Sequence, residues 1–321
     1  MPTVCALVVT YNRSIYLRKA LSGILNQDKQ VSAILIFNND ATDSTESDLI
    51  TDGYLAKQSY RSGELYQCAY DDVEIYYYRN HENAGGAGGF SKGIELVSNL
   101  DYDYVWIMDD DVYPESDCLA EIIKQMDLND VRVGIPNRTD ENFDDEPCIS
   151  LDMDDYRKFW TGLRKTKVKG PFEEDAIRVV DLPFEGPVID MNLLRKVGVP
   201  DSGYFLLYDD TDYAMRLQEH SGIIFATRAK LHRQLAKKMP PSAVTEPFNW
   251  REYYGMRNNI IFDKRYGKNW KVRHLSPILI LLQRIRNSII AGHLRQNFPI
   301  IRKAFIDGIF RRMGKRIDPN Y

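Results

Sequence analysis

Short apolar segments alternate along the chain with segments in which apolar residues recur at helical spacing. The apolar segments, each about the length of a strand, cover residues 4–10, 31–37, 73–78 and 105–108. The first of them is continuously apolar, which is the pattern of a parallel strand buried on both faces. Leu17, Leu21 and Ile24 then follow at the spacing of one helix face. This alternation predicts an α/β fold with a Rossmann-like, mostly parallel sheet flanked by helices.

The second half of the chain carries similar patterns between longer polar segments. A short helix is predicted at residues 118–126, strands at residues 132–135, 205–207 and 223–227, and a strand that turns into a helix at residues 188–197; residues 179–184 are again apolar. Excursions or loops are predicted at residues 51–72, 139–178 and 236–250, where no clear period is present. A helical extension is predicted from Trp250 onwards, because apolar residues again recur at helical spacing there.

Three adjacent carboxylates, Asp109, Asp110 and Asp111, follow the apolar segment that ends at Met108. Open α/β sheets bind their ligands at the carboxyl ends of strands, where these acids are predicted to lie. Neighbouring negative charges repel one another and favour a bound cation, and Mg²⁺ or Mn²⁺ prefers such oxygen ligands and bridges to phosphates. The alternative is a solvated acidic turn that caps a helix starting near Pro114, and the spacing alone favours neither interpretation.

A glycine-rich segment, Asn83-Ala84-Gly85-Gly86-Ala87-Gly88-Gly89-Phe90, lies between a predicted strand and a predicted helix. Glycines at such a junction let backbone N–H groups approach a phosphate at the helix N-terminus. Ser91 stands where the third glycine of the dinucleotide-binding pattern GxGxxG would be. Nucleotide contact and close packing of the helix on the sheet are therefore equally good interpretations of this segment.

A second acidic pair, Asp209 and Asp210, stands where the apolar residues 205–207 meet a predicted helix. Such carboxylates can cap the helix, or one of them can face the crevice as a general base. Asp212 and the arginine four residues later are more typical of a structural salt bridge than of chemistry. His232 follows a predicted strand, and an isolated histidine is more often structural than a ligand.

Length and composition exclude several classes of protein. The chain has 321 residues, 44% of them hydrophobic, which is enough for a sizeable core. Its four cysteines are scattered without a CxxC pair, which argues against a zinc knuckle or a disulfide framework and fits a reducing compartment. We expect no signal peptide and no transmembrane span, because the N-terminus lacks a basic n-region and the apolar run at residues 278–282 is too short.

The charge is distributed unevenly along the chain. Residues 251–321 contain 16 Lys and Arg but 4 Asp and Glu, a net charge of +12, whereas residues 1–250 carry −16. The basic part has apolar residues between its arginines, which is typical of amphipathic helices on an anionic membrane surface. The alternative is a helical subdomain that packs against the acidic part or against a second subunit of a homo-oligomer.

The order of these motifs resembles the inverting glycosyltransferases of family 2, which have the GT-A fold. The resemblance covers roughly residues 1–262 as ordered motifs. The motifs are Thr10-Tyr11-Asn12-Arg13, Asn39-Asp40-Ala41-Thr42-Asp43, the glycine-rich segment, Met108-Asp109-Asp110-Asp111, and Tyr208-Asp209-Asp210-Thr211-Asp212-Tyr213 with Arg216. The glycine-rich segment is most similar to the galactofuranosyltransferase branch, and rhamnosyltransferases share much of the pattern.

The resemblance implies a nucleotide-sugar donor, a divalent metal and a carboxylate base. By it, Asp109, Asp111 and His232 hold Mn²⁺ or Mg²⁺, and Asp110 faces the donor sugar or ribose. Without the resemblance, the residues alone did not separate the metal site from the acidic turn.

The base that the resemblance implies is Asp210, with Asp209 as its close neighbour. Donor contacts are implied for Thr10, Tyr11, Asn12, Arg13, Asn38, Asn39, Gly85, Gly86, Gly89 and Asp110. Many relatives have Asp where this chain has Asn38. An amide oxygen still accepts a hydrogen bond from uracil N3–H, so a uridine donor remains compatible.

We therefore expect a hexosyltransferase that moves galactofuranose from UDP-galactofuranose to a hydroxyl of a glycan or lipid-linked acceptor in bacterial surface polysaccharide synthesis. The alternatives are a rhamnosyltransferase using dTDP-rhamnose, a UDP-hexopyranose transferase and a metal-dependent nucleotidyltransferase; the full set of acids argues against a non-catalytic module. We predict a nucleotide-sugar-binding and catalytic domain at residues 1–262 and a basic amphipathic tail at residues 263–321. The expected location is the cytoplasm, at the inner face of the cell membrane, with no nucleic-acid partner.

Overall fold

The computed structural model describes residues 2–138, 140, 142, 146–236 and 246–319. The strands of these ranges are β1 (Val4–Thr10), β2 (Ala33–Asn38), β3 (Leu65–Tyr70), β4 (Val73–Arg79), β5 (Tyr104–Asp109), β6 (Val112–Pro114), β7 (Val133–Asn137), β8 (Cys148–Leu151), β9 (Lys165–Lys167), β10 (Ala176–Val179), β11 (Val188–Asp190) and β12 (Ile223–Arg233). The helices are α1 (Ser14–Leu25), α2 (Thr45–Thr51), α3 (Gly85–Ser98), α4 (Cys118–Leu128), α5 (Thr161–Arg164), α6 (Met191–Val197), α7 (Asp209–Gln218), α8 (Trp250–Tyr266), α9 (Trp270–Ile290) and α10 (Leu294–Ile309).

One large sheet organises the described part of the chain. Its strand order is β10-β12-β7-β11-β5-β1-β2-β4-β3, and β6 pairs with the far end of β12. Strands β5, β1, β2 and β4 are parallel to one another, whereas β11 runs antiparallel between β5 and β7. The predicted α/β class with a mostly parallel sheet is confirmed.

The central strands are buried on both faces because they are apolar at successive positions. All residues of β1 and β2 are buried. Val8 and Trp106 face a core cluster covered by α1 and α4, whereas Leu7 and Phe37 face the opposite cluster, covered by α3, α6 and α7. The result is a three-layer arrangement in which the carboxyl ends of the parallel strands remain the accessible edge.

The strand register brings the predicted motifs to that edge together. Val9 pairs with Asp109 across β1 and β5, and Thr10 pairs with Asn38 across β1 and β2. The acidic strand end therefore lies beside the end of β1, although about a hundred positions separate them in the sequence.

One prediction for the first half of the chain needs correction, and the start of one helix becomes more exact. The excursion at residues 51–72 contains β3, which lies antiparallel to β4 and alternates exposed and half-buried residues. The helix expected after the acidic strand end, at residues 118–126, is confirmed as α4; it begins at Cys118 and not directly at Pro114, because residues 112–114 form β6 and pair with the end of β12.

The strand predicted at residues 205–207 is also wrong. These residues follow a 3₁₀ turn (Ser202–Tyr204), and Phe205 and Leu207 have left-handed φ angles of 65° and 67°. A run of three apolar residues does not distinguish a strand from a buried loop. Here Phe205 is buried because its ring stacks on Tyr254 of α8, with ring centroids 4.7 Å apart.

The structure tests one of the two remaining loop predictions and leaves most of the other outside the described residues. Within the described part of residues 139–178, β8 and β9 form a small two-stranded sheet next to α5. Most of the loop predicted at residues 236–250 lies outside the described residues.

The C-terminal region is helical, as predicted. Helices α8, α9 and α10 enclose their own core, to which Tyr253, Ile280 and Ile301 contribute. Helix α8 runs without interruption through residues 262 and 263, so the domain division at this point stays a prediction. Throughout the described ranges, every helix is too short or too polar to cross a lipid bilayer.

Candidate active site

A cleft of about 410 Å³ opens at the carboxyl ends of β1 and β5. It is bounded by the loop after β1, the beginning of α3 and the beginning of α8. The predicted site residues that line it are Thr10, Tyr11, Asn12, Arg13, Asn39, Gly85, Gly86, Asp109 and Asp110. We call it the donor cleft, because it brings together the residues for which donor contacts were predicted.

Asp110 is held from three directions at the floor of the donor cleft. Its Oδ2 atom accepts hydrogen bonds from the Thr10 hydroxyl at 2.8 Å and from the Tyr11 backbone N–H at 3.2 Å. Arg13 lies 3.1 Å from Asp110 Oδ1 and 2.7 Å from Asp111 Oδ2, so one guanidinium bridges two acids. Burial raises the pKa of Asp110 to about 6 despite the opposing effect of Arg13. This carboxylate mainly fixes the loop after β1.

Asp109 differs from Asp110 and Asp111, because its negative charge has no direct partner among the described protein residues. Among the described residues, no hydrogen-bond donor reaches its carboxylate. Burial, followed by the charges of Asp111 and Asp110, raises the pKa of Asp109 well above its usual range. Such a carboxylate favours a nearby cation, so Asp109 and Asp111 fit the chemistry of a divalent metal site.

His232 occupies a different environment from the one predicted. On β12 it lies opposite Tyr113 of β6, with the two rings stacked at 5.1 Å. Its Nε2 atom lies 2.8 Å from Glu115 Oε1, and its Nδ1 atom lies 3.3 Å from Asp140 Oδ2. Within the ranges that the structure describes, no three His, Cys, Asp or Glu side chains are arranged to hold a metal. The role of His232 as third ligand stays a prediction, and it requires at least one of these contacts to open.

Asn38 and Asn39 make different contacts although they are adjacent. Asn38 is buried; its amide donates to the Tyr77 hydroxyl at 2.9 Å, and its oxygen accepts from the Ala41 N–H at 2.7 Å. It therefore shapes the turn after β2 and does not line the donor cleft. Asn39 lines the cleft and donates to the Gly85 carbonyl oxygen at 3.1 Å, which ties the end of β2 to the glycine-rich segment. A base contact by Asn38 stays a prediction.

Close packing explains two of the glycines. Gly85 begins α3 with a φ of 73°, and a Cβ at this position would lie 2.2 Å from the Phe205 carbonyl oxygen. At Gly89 a Cβ would lie 2.9 Å from Val9 of β1. Gly86, by contrast, has space for a Cβ and borders the cleft. The segment thus packs the helix on the sheet and also forms a wall of the donor cleft.

A strained loop carries the second acidic pair. Phe205, Leu207 and Tyr208 have left-handed φ angles of 65°, 67° and 73°, an uncommon conformation for non-glycine residues that persists only when surrounding contacts enforce it. The loop ends at Asp209, the first residue of α7. We call residues 205–208 the base loop, because the predicted base follows directly after them.

Asp209 and Asp210 differ in what they face. Asp209 is buried, whereas Asp210 borders an open pocket and accepts a hydrogen bond from the Thr211 N–H at 2.6 Å. Burial and Asp210 raise the pKa of Asp209; burial and Asp181 raise that of Asp210, and Lys165 opposes the second shift. A raised pKa makes a carboxylate a better proton acceptor, and exposure to a pocket favours Asp210 as the base.

Helix α8 holds the base loop in place, which the sequence reasoning missed. Asn258 is fully buried and its amide nitrogen donates to the carbonyl oxygens of Tyr204, Leu206 and Leu207 at 3.1, 2.7 and 2.9 Å. The buried guanidinium of Arg257 donates to the Tyr204 carbonyl oxygen at 2.7 Å. A sequence signal was present, since polar residues at 257–259 interrupt an otherwise apolar helix segment.

Two further residues of α8 border the donor cleft and were not predicted. Trp250 and Arg251 begin the helix and line the cleft opposite the acidic strand end. Arg251 is exposed and lies 5.0 Å from the centre of the Trp250 ring. By contrast, the expected structural role of Asp212 is confirmed, since it lies 3.4 Å from Arg216 and also binds Arg265 at 2.6 Å.

Comparison with solved structures shows a GT-A-type fold. Residues 1–349 of S. aureus TarS, solved in complex with UDP-GlcNAc, align with a TM-score of 0.52 at 13% identity, over 97% of this chain and 82% of that one. The mannosyltransferase PcManGT from Pyrobaculum calidifontis, solved with GDP-Man and Mn²⁺, aligns with a TM-score of 0.54 at 16% identity, over 91% and 74%. The chain spans 43% of full-length TarS.

Sequence comparison identifies the family. The galactofuranosyltransferase GlfT1 of Mycolicibacterium smegmatis is 25% identical over 228 residues, which are 70% of this chain and 68% of that protein. The family model described as glycosyl transferase family 2 matches residues 5–178, more than half of the chain. With the strand-end acids and the glycine-rich segment inside the matched part, the chain belongs to glycosyl transferase family 2.

Proposed function

We propose that this protein transfers galactofuranose from UDP-galactofuranose to a hydroxyl group of a glycan or lipid-linked glycan acceptor, with inversion at the anomeric carbon. The similarity to galactofuranosyltransferase GlfT1 supports the choice of sugar. The observation that carries the proposal is the position of the base loop. Leu206 lines the donor cleft, whereas Leu207 and Asp210 line a pocket on the other side of the loop. A donor and an acceptor would thus approach the same loop from opposite sides.

The reaction follows from these positions. The anomeric C–O bond to the diphosphate breaks and its electron pair leaves with the nucleoside diphosphate. The acceptor oxygen forms the new bond from the opposite face, and its proton goes to the carboxylate of Asp210. Inversion needs no covalent enzyme intermediate.

The leaving group needs positive charge. Arg13 and Arg251 both line the donor cleft and supply guanidinium groups suited to phosphate oxygens. Asp109 and Asp111 would hold Mn²⁺ or Mg²⁺, which acts as a Lewis acid on the diphosphate when bound. Because Arg13 already binds two of the strand-end acids, its guanidinium also limits their mutual repulsion.

A donor panel tests the proposal. UDP-galactofuranose, UDP-hexopyranoses and dTDP-rhamnose are compared by nucleoside diphosphate release, with and without a glycan acceptor. We expect acceptor-dependent release of UDP from UDP-galactofuranose, and loss of that release in Asp210→Asn. Turnover of dTDP-rhamnose alone would instead identify a rhamnosyltransferase, and release of pyrophosphate would identify a nucleotidyltransferase.

We further propose that the protein works at the inner face of the cell membrane. Ile278, Leu282 and Ile289 are exposed and lie within about 40° of one another around α9, so they form an apolar row on one face of the helix. Lys271 and Arg286 on the same helix are exposed, which suits anionic lipid headgroups. Other basic residues of the tail act within the protein; Arg265, for example, binds Asp212. Part of the +12 charge is therefore used in internal contacts, and another part lies on the α9 surface.

A further inference from the structure

A second pocket, of about 480 Å³, lies on the far side of the base loop from the donor cleft. Its inner end is formed by Leu207, Tyr208 and Asp210. Its outer walls come from α5 and β9, which belong to the segment that the sequence predicted as a loop-dominated excursion. We call this cavity the outer pocket.

The charged side chains of the outer pocket neutralise one another. Lys165 lies 2.6 Å from Asp181, and Lys167 lies 3.5 Å from Glu146. Arg138 also borders the pocket and lies 2.6 Å from Glu185. Because each of these cations has an acidic partner, the described lining of the pocket does not present the uncompensated positive charge that a phosphate or carboxylate ligand needs.

The same ion pairs offer both donors and acceptors of hydrogen bonds at the pocket wall. Lys165 and Asp181 are each about one fifth exposed, so their outer atoms remain accessible to a ligand. Alternating donors and acceptors match the hydroxyl groups of a sugar, each of which donates one hydrogen bond and accepts others. A hydrocarbon chain would leave these polar groups without partners, at a free-energy cost.

An aromatic side chain completes the outer pocket. Trp160 is half-buried and lines it, while the guanidinium of Arg284 lies 4.5 Å from the ring centroid. This contact fixes the indole plane at the pocket wall. The C–H face of a sugar ring is apolar and packs against such an indole, while its hydroxyl groups reach the polar wall.

We propose that the outer pocket binds an uncharged sugar ring of the acceptor, with Trp160 against the ring face and the Lys165–Asp181 pair on its hydroxyl groups. This inference rests on the proposed transferase function and adds the acceptor subsite to it. A sugar held there presents its hydroxyl to Asp210 at the inner end of the pocket, next to the donor cleft.

The sharpest variant fills the outer pocket without removing any existing contact. A Cβ on Gly162 would meet its nearest neighbour, Trp160, at 3.7 Å, an ordinary contact distance, and Gly162 is exposed and lines the pocket. Gly162→Phe therefore adds a ring inside the pocket. Leu163→Phe is the matched control, because Leu163 is 53% exposed on the same short helix and does not line the pocket.

Binding and turnover are measured with methyl hexosides and with a methyl hexoside 6-phosphate. We expect saturation-transfer NMR to detect the uncharged hexosides on the wild type and on Leu163→Phe, and to lose them on Gly162→Phe. In steady-state assays Gly162→Phe should raise the acceptor KM by at least tenfold and leave the donor KM within twofold. Trp160→Ala should act in the same direction, and Trp160→Phe should keep most of the affinity.

The outcomes separate the two proposals. An unchanged acceptor KM in Gly162→Phe, in an enzyme that transfers sugar, would overturn the subsite and leave the transferase function standing. If hexosides bind in the outer pocket but no donor releases nucleoside diphosphate, the sugar subsite is supported and the proposed transferase function is rejected. Preferential binding of the phosphorylated hexoside would contradict the uncharged ligand.

Discussion

The side-chain amide of Asn258 donates a hydrogen bond to the Leu206 carbonyl oxygen at 2.7 Å. This contact joins a helix of the C-terminal region to the loop that precedes the two carboxylates of α7. Because the same nitrogen also reaches the carbonyls of Tyr204 and Leu207, one side chain determines the path of the loop.

Replacing Asn258 should therefore displace the base loop and with it Asp210. Asn258→Asp keeps the shape but exchanges the donating nitrogen for an oxygen, which repels the carbonyls. We expect kcat to fall by at least tenfold, because Asp210 loses its position, and the donor KM to rise as well, because Leu206 of the same loop lines the donor cleft. Each buried carbonyl left without a donor costs about 1–3 kcal/mol, so thermal stability should also fall. Asn26→Asp, at the end of α1, is the control. Equal kcat values in the two variants would contradict the role of Asn258 in positioning the base loop.

Two glycines offer a matched comparison of packing and binding. Gly85→Ala places a Cβ against the Phe205 carbonyl oxygen at a left-handed φ, so we expect a loss of more than about 2 kcal/mol in the free energy of unfolding. In Gly86→Ala the Cβ meets only Leu206, at 3.9 Å, so the fold should be retained. Because Gly86 borders the donor cleft, the donor KM should rise instead. Urea unfolding and steady-state kinetics measure both effects.

The raised pKa values of the acidic pair predict the pH dependence. A base must be deprotonated to accept a proton, so kcat should fall as the pH is lowered through a midpoint above the usual value of about 4 for Asp. Lys165 counteracts the shift at Asp210, so Lys165→Met should move this midpoint to higher pH, whereas Lys165→Arg should retain it. A pH profile of kcat at saturating substrates measures the midpoint. An unchanged midpoint in Lys165→Met would contradict the predicted effect of Lys165 on the pKa of the base.

Divalent metal should bind at the acidic strand end. We expect EDTA to abolish transfer and Mn²⁺ or Mg²⁺ to restore it. Titration calorimetry with Mn²⁺ and UDP should show binding to the wild type and to Asp127→Asn on the exposed face of α4, but not to the Asp109→Ala, Asp111→Ala double variant. Full activity of that double variant would reject the metal site.

His232→Ala tests the predicted third metal ligand. An unchanged Mn²⁺ affinity in this variant would show that His232 does not bind the metal and that its role is limited to its contacts with Glu115 and Asp140.

The α9 surface should bind anionic lipid. Deleting the tail is a poor test, since α9 and α10 pack on the helix that holds the base loop. Leu282→Glu is better, because this side chain is 55% exposed and its replacement leaves the core intact. We expect sedimentation with anionic but not neutral vesicles, weaker in high salt and much reduced in Leu282→Glu. Leu128→Glu, 70% exposed on α4, should behave like the wild type; equal sedimentation of all three proteins would exclude the α9 surface.

Local patterns predicted the sheet well, whereas the donor-contact residues were implied by the family resemblance. Continuous apolar segments identified β1, β2 and β5, and polar residues directly after them had to meet at one edge because parallel strands end together. Strand β3 was missed because its apolar face is made of Tyr66, Cys68 and Tyr70 on an otherwise exposed edge strand. Its alternation is weaker than that of a buried strand.

The base loop and its anchors could not be predicted in the same way. Its backbone conformation is imposed by Asn258, about fifty residues later in the chain, and not by residues 205–208 themselves. Likewise, His232 was assigned from its place in a motif order, whereas its contacts depend on how β6 pairs with β12. Long-range contacts of this kind leave little trace in local periodicity.

The base loop also restricts how this enzyme could acquire new substrates. Leu206 and Leu207 are adjacent, yet they line cavities on opposite sides of the same stretch of backbone. A shift of that backbone would alter both cavities, so under the proposed function a change at the loop would affect donor and acceptor binding together. Variation that alters a single substrate must instead occur at walls that the cavities do not share, such as α5 for one and the start of α8 for the other. Under the proposed function, directed evolution of donor choice and of acceptor choice could then proceed as two separate searches.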